Sequence, residues 1–141
     1  MTNFFALLAK ASKAVDKEMD DQLPSGQELE HRLFDAMRYA TLGGGKRLRP
    51  FMVIAGGEIF DLKMAECLRV SAAVEFVHAY SLVHDDLPCM DNDDIRRGKL
   101  STHKKFGEAI AVLAGNSLLT LAFEIIADNR LKIKDENKNM L

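Results

Sequence analysis

A chain of 141 residues with 48% hydrophobic and 28% charged side chains can bury one core, and this composition excludes a disordered acidic tail. Lys plus Arg number 19 against 21 Asp plus Glu, a formal net charge of -2, so a uniformly basic nucleic-acid-binding surface is excluded as well. Local clusters of each sign then matter more than the total.

Apolar residues recur at three- and four-residue spacing almost throughout, and no stretch alternates with period two, so the expected fold class is all-α. The period predicts a first helix over 3–22, ended by Pro24-Ser25-Gly26. A second is predicted over 27–41, where Leu33, Met37 and Ala40 follow an acidic start at Glu28 and Glu30 that suits a helix N-terminus. After Gly43-Gly44-Gly45 a third begins near Pro50, a residue favoured in the first turn, and runs to Phe60. A fourth covers Met64 to Leu87 and a fifth Lys105 to Asp128. Residues 109–127 approach membrane length, but Asn116, Ser117, Thr120 and Glu124 interrupt them; a buried core helix and no stable membrane anchor are expected. The apolar FFALLA near the N-terminus has no basic flank and is too short for a signal-peptide core. The final DNRLKIKDENKNML is polar and expected to fray. Cys67 and Cys89 form no CxxC pair and are read as reduced thiols of a cytoplasmic protein.

The fourth helix is apolar on nearly every side from Leu68 to Val83, as a helix packed on both faces would be. Its exceptions form a seam: at 100° per residue, Ser71, Glu75, His78 and Asp85 fall within about 80° of one another. Such a seam faces a cavity, unless Glu75 and His78 simply satisfy each other within the core. Beyond it, HDDLPCMDNDD sets five aspartates into the stretch from His84 to Asp94. On a continuous helix Asp85 and Asp91 would diverge, but Pro88 disfavours helical geometry at Leu87 and lets Asp91 fold back toward Asp85 and Asp86. Clustered carboxylates call for a hard cation, magnesium before calcium. An EF-hand loop started at Asp91 fails, with Arg96 and Thr102 where glycine and glutamate are needed, and zinc lacks a ligand spacing between the histidines and the cysteines.

Magnesium with few protein ligands leaves coordination positions for substrate phosphates, which in turn need cations. Arg96-Arg97-Gly98-Lys99 and Gly43-Gly44-Gly45-Lys46-Arg47-Leu48-Arg49-Pro50 supply them, the second at the start of a helix. The glycine run has neither the spacing of a Walker loop nor a strand before it. Either basic cluster alone would be a solvated patch; together with the aspartates they point to diphosphate binding.

Three stretches, GGGKRLRP at 43–50, EFVHAYSLVHDDLPCMDNDDIRRGK at 75–99 and THKKFGEAIAVLAGNSLL at 102–119, resemble the trans-type isoprenyl diphosphate synthases, and among them the bacterial farnesyl diphosphate synthases. The resemblance implies a helical bundle and a prenyl transfer: an allylic diphosphate (dimethylallyl or geranyl) ionises, isopentenyl diphosphate attacks the carbocation, and farnesyl diphosphate results. It implies that Asp85, Asp86 and Asp91 hold magnesium as the first aspartate-rich motif. Arg96 would meet the allylic diphosphate, while Lys46, Arg49, His78 and Arg97 would hold isopentenyl diphosphate. Tyr80 and Ser81 would floor the pocket for the growing tail, and the partner would be a second copy in a homodimer. The family also has a second aspartate-rich motif, which does not occur here. The resemblance therefore implies that residues 1–141 are the N-terminal half of one domain, inactive by themselves. Leu100, where the family commonly has proline, is a minor departure. Two other readings stay open: a catalytically inactive helical partner of a synthase, and a magnesium-dependent helical phosphohydrolase.

Overall fold

The computed structural model of the chain describes residues 3–26 and 30–128. Among these, six helices follow one another: α1 (Phe4–Gln22), α2 (His31–Thr41), α3 (Leu48–Ile59), α4 (Met64–Asp85), α5 (Thr102–Phe106) and α6 (Glu108–Ala127). A two-stranded hairpin, β1 (Ile95–Arg96) and β2 (Lys99–Leu100), lies between α4 and α5. The all-α class holds, and the first four helices fall where the period puts them. Glu28, expected at the acidic start of the second helix, and the C-terminal segment from 129 onward lie outside the described residues.

Two features differ from the periodic reading. The expected fifth helix is divided at Gly107, whose φ of 91° and ψ of 155° lie far from helical values and suit a residue without a Cβ. The hairpin is too short to show a period, and its marker is the turn. Arg97 and Gly98 both have positive φ, 53° and 75°, as a two-residue hairpin turn of type I′ requires. Ile95 then pairs with Leu100 and Arg96 with Lys99 in antiparallel register.

Helix α4 is central and packs against α6, α3, α1 and α2. Its Phe76 is fully buried with Val15 and Met19 of α1 and Leu118 of α6. Close approach depends on small residues. A Cβ at Gly115 of α6 would overlap the imidazole of His84, and one at Gly57 of α3 would overlap Cys67 Sγ. Helix α6 is apolar and long enough to cross a membrane by length and composition. It buries Ala111, Ala114, Gly115, Leu118, Ala122 and Ile125 against the fold and leaves Leu113, Phe123 and Ile126 exposed. The result is a firmly held α4 whose C-terminal end meets the loop after α2 and the hairpin.

Candidate functional site

The glycine run after α2 and the first turn of α3 form one wall of an open cleft of about 600 Å³, and α4 and the hairpin turn form the other. Lys46, Arg49, His78 and Arg97 all line it. Four side chains drawn from as far apart as positions 46 and 97 thus converge on one cavity, and three of them are lysine or arginine. Arg49 Nη1 lies 3.4 Å from His78 Nε2. A guanidinium has only N–H donors, so the ring nitrogen accepts. Partial burial, and then the neighbouring Arg49, lower the pKa of His78 from its ordinary value. The imidazole is therefore the neutral member of the set.

Arg97 reaches across to the glycine loop and donates to the Gly44 carbonyl oxygen. Its guanidinium lies against Gly45, where a Cβ would stand 2.9 Å from Nη1. Gly45 is thus required by a close approach, and its φ of 149° suits glycine as well. The clasp fixes the hairpin against the loop.

Glu75 and His78 do not satisfy each other. Glu75 is buried and ion-paired through Oε2 to Arg47 Nη1 at 2.9 Å. Ser71, deeper on the same seam, donates to the Pro50 carbonyl at 3.3 Å. Ser71 and Glu75 are thus tied into the framework, and His78, farther out on the seam, lines both the cationic cleft and a second one beside it.

At the end of α4 the chain folds back as Pro88 suggests. The Asp91 N–H donates to the Asp85 carbonyl at 2.8 Å, and the Asn92 N–H to the Leu87 carbonyl at 3.1 Å. The three aspartates nevertheless differ in state. Asp85 is half-buried, Asp91 is exposed, and Asp86 is buried under Arg96. Arg96 Nε donates to both Asp86 oxygens, at 2.9 and 3.3 Å, its Nη2 reaches Asp86 too, and Nη2 also meets Asp93 at 3.1 Å. Among the described residues no three His, Cys, Asp or Glu side chains stand together as a group able to hold a metal ion. The donor chemistry, carboxylate oxygens alone, suits magnesium. The arrangement does not: one carboxylate of the expected triad is engaged by a guanidinium, and Arg96 faces that carboxylate rather than an open anion site. An arginine and a cation compete for the same lone pairs, which explains the departure from the three-aspartate reading.

Tyr80 and Ser81 line a second cleft of about 420 Å³, walled by Ala73, Val74, Val77 and Ile126. The helical wheel puts Tyr80 well away from Asp85, but its ring packs edge-on against His84, with centroids 4.7 Å apart. Arg49 and His78 line this cleft as well as the cationic one. The cationic cleft and an apolar groove thus adjoin through two shared residues.

A family model described as "Polyprenyl synthetase" matches residues 30–140. The chain belongs to the polyprenyl synthetase family. Its relatives include a heterodimeric geranylgeranyl pyrophosphate synthase large subunit 1, chloroplastic, of Arabidopsis thaliana, 46% identical over 89% of this chain and 33% of the relative. A farnesyl diphosphate synthase of Buchnera aphidicola (subsp. Schizaphis graminum) is 56% identical over 70% of this chain and 34% of its own length. Among solved structures, an FPP/GFPP synthase from Zymomonas mobilis superposes with a TM-score of 0.88 at 45% identity, over 93% of this chain and 47% of that one. The chain spans about a third of the length of those curated relatives. Farnesyl and geranylgeranyl synthases match it alike.

The residue that sequence reasoning missed is Arg47, which the motif GGGKRLRP presents as one of three equivalent cations. A signal existed. Glu75 sits on an otherwise apolar helix, and a buried carboxylate needs a buried cation.

Proposed function

We propose that the chain supplies the diphosphate-binding part of a prenyl transfer, in which dimethylallyl diphosphate is extended by isopentenyl diphosphate to geranyl diphosphate and that by a second isopentenyl diphosphate to farnesyl diphosphate, each condensation releasing one pyrophosphate and one proton. The observation behind this reading is the convergence of Lys46, Arg49, His78 and Arg97 on one cleft that opens, through Arg49 and His78, onto the groove of Tyr80 and Ser81. A charged head with an isoprenoid tail needs that adjacency. Guanidinium groups suit diphosphate because two parallel N–H donors match two phosphate oxygens. Ionisation of an allylic diphosphate further demands stabilised negative charge on the departing group and a cavity that keeps water from the cation.

In this reading the four cleft residues hold isopentenyl diphosphate. Arg96 would serve the allylic diphosphate, and Asp85, Asp86 and Asp91 would hold magnesium as the family's first aspartate-rich motif, only if the Arg96–Asp86 pair opened. Tyr80 and Ser81 limit the tail, so Tyr80→Ala in an active synthase lengthens the product beyond farnesyl. Residues 1–141 act as the N-terminal half of one domain, and a second copy is the partner. The free thiols of Cys67 and Cys89 suit a reducing cytoplasm.

Calorimetric titration with isopentenyl diphosphate and with geranyl diphosphate, followed by incubation of both with magnesium and product separation, tests the reading. The 141-residue chain is expected to bind isopentenyl diphosphate and to form no farnesyl diphosphate. Arg49→Ala and Arg97→Ala should weaken isopentenyl diphosphate more than geranyl diphosphate, and Arg96→Ala the reverse. Release of orthophosphate would make the chain a phosphohydrolase instead. Failure to bind either diphosphate would leave only an inactive partner subunit.

A further inference from the structure

We infer that Arg47 is a positioning residue of the cationic cleft: its guanidinium is bonded to the framework, and it sets where Lys46 and Arg49 stand. From Gly45 to Arg49 it is the one buried residue, with 4% of its surface exposed, while both of its sequence neighbours are exposed. Arg47 borders the cleft, yet its guanidinium nitrogens are engaged by the surrounding helices. Nε donates to Asp16 of α1 at 2.8 Å, Nη1 to Glu75 of α4 at 2.9 Å, and Nη2 to the Thr41 carbonyl at the end of α2 at 2.8 Å. One side chain thus ties three helices together at the residue that begins a fourth, since Arg47 is the N-cap of α3.

Its backbone is left-handed, with φ 49° and ψ 35°. A residue bearing a Cβ adopts that conformation at a cost, and it persists where the surroundings over-determine it. Here the three ties do so. The same left-handed turn separates Lys46 from the helical phase of Arg49, so the two exposed cations leave the chain on either side of a fixed pivot. Charge follows the same division. Glu75 lines the cleft, and without Arg47 its carboxylate would face a bound diphosphate as a like charge. Arg47 therefore both aims the cleft and masks its one acidic wall.

The inference rests on the reading of the cleft as a diphosphate site, and the experiment separates the two. Inorganic pyrophosphate is titrated calorimetrically into the full chain, as wild type, Arg47→Lys, Asp16→Asn and Arg49→Ala, at several salt concentrations. Arg49→Ala should lose affinity and show a shallower salt dependence, because one ligand-facing charge is gone. Arg47→Lys keeps a positive charge for Glu75 but lacks the planar fork. It should lose roughly tenfold in affinity, in the range that loss of an outer-layer partner costs a bound ion, with the wild-type salt dependence and helical circular dichroism retained. Asp16, whose side chain is 45% exposed, can be changed with little risk to folding; Asp16→Asn should weaken binding in the same sense and decides the matter if Arg47→Lys does not fold. Unchanged affinity in the folded variants, or a flattened salt dependence in Arg47→Lys, would overturn the positioning role alone. A wild-type chain that ignores pyrophosphate would overturn the cleft reading and the role of Arg47 together.

Discussion

The backbone N–H of Asp91 is bonded to the carbonyl oxygen of Asp85 at 2.8 Å, which closes the loop around Pro88 and draws two carboxylate-bearing residues to one helix end. The loop is set by backbone bonds, so it needs no cation to hold its shape. Asp86, between them in sequence, faces Arg96 instead.

That pair gives the first prediction. Asp86 is 2% exposed, and in Arg96→Gln its carboxylate would keep its burial while losing a forked, charged donor. The variant should unfold at lower urea, by about 1–3 kcal/mol, the range for losing hydrogen bonds to a charged group in a partly solvated setting. Its affinity for Mn²⁺, read by electron paramagnetic resonance, should exceed that of wild type because a carboxylate has been freed. Weaker Mn²⁺ binding in a folded Arg96→Gln variant would show that the pair does not compete with a metal.

Steric contact gives the second. Gly115 lets α6 approach α4 so closely that the His84 ring occupies the place of a Cβ, and His84 Nε2 lies 3.2 Å from the Val112 carbonyl. Gly115→Ala must displace the imidazole or part the helices. A loss of about 1–3 kcal/mol, typical of overpacking, is expected in denaturant titration. Restoration of stability by adding His84→Ala would locate the clash; an unaffected single variant would refute it.

The third concerns pH. The folded-state pKa of His78 lies below its unfolded value, chiefly through burial and then through Arg49. Between those two values the unfolded chain binds more protons than the folded one, so stability rises with pH in that window. His78 thus favours folding fully above the ordinary histidine pKa of about 6.5, and this advantage fades as pH falls below it. His78→Gln should flatten the stability profile on the acid side of neutrality. A profile identical to wild type would mean that the ring titrates as if it were free.

The fourth follows from exposed apolar surface. Phe123 is 65% and Ile126 48% exposed on α6, and Val77 of α4 borders the same groove as Ile126. Contiguous apolar surface of this kind favours association. Sedimentation at increasing concentration should show dimers or larger species, and Phe123→Asp should shift them toward monomer. A wild-type monomer at high concentration would contradict this.

Most of the framework was legible in the sequence because α1 to α4 are long enough for a 3.6-residue period to be counted, and Pro24, the Gly43 run and Pro88 punctuate them. The convergence of Lys46, Arg49, His78 and Arg97 was legible from charge pattern and family resemblance together. Other features left no such trace. The hairpin has two residues per strand, fewer than one period of alternation. Gly107 reads as one helix-tolerated glycine, because nothing local states that its φ is positive. The inward turn of Arg47 is set by a left-handed residue that resets the helical phase, so adjacency in GKRLR cannot tell which cation is buried. Nor can order in the chain say that Arg96 faces Asp86 while Arg97 faces Gly44.

That last division makes the hairpin a ruler. Arg96 and Arg97 are joined by a single peptide unit, yet one grips the carboxylate end of α4 and the other the loop before α3. The turn that Arg97 begins is held by two positive φ angles, so the spacing between these two grips is fixed by covalent geometry rather than by the pliable packing of helices. Whatever pulls Arg96 off Asp86 must tug on the Gly44 loop through the next residue. A one-residue insertion between them would let the two grips drift apart while leaving every helix intact.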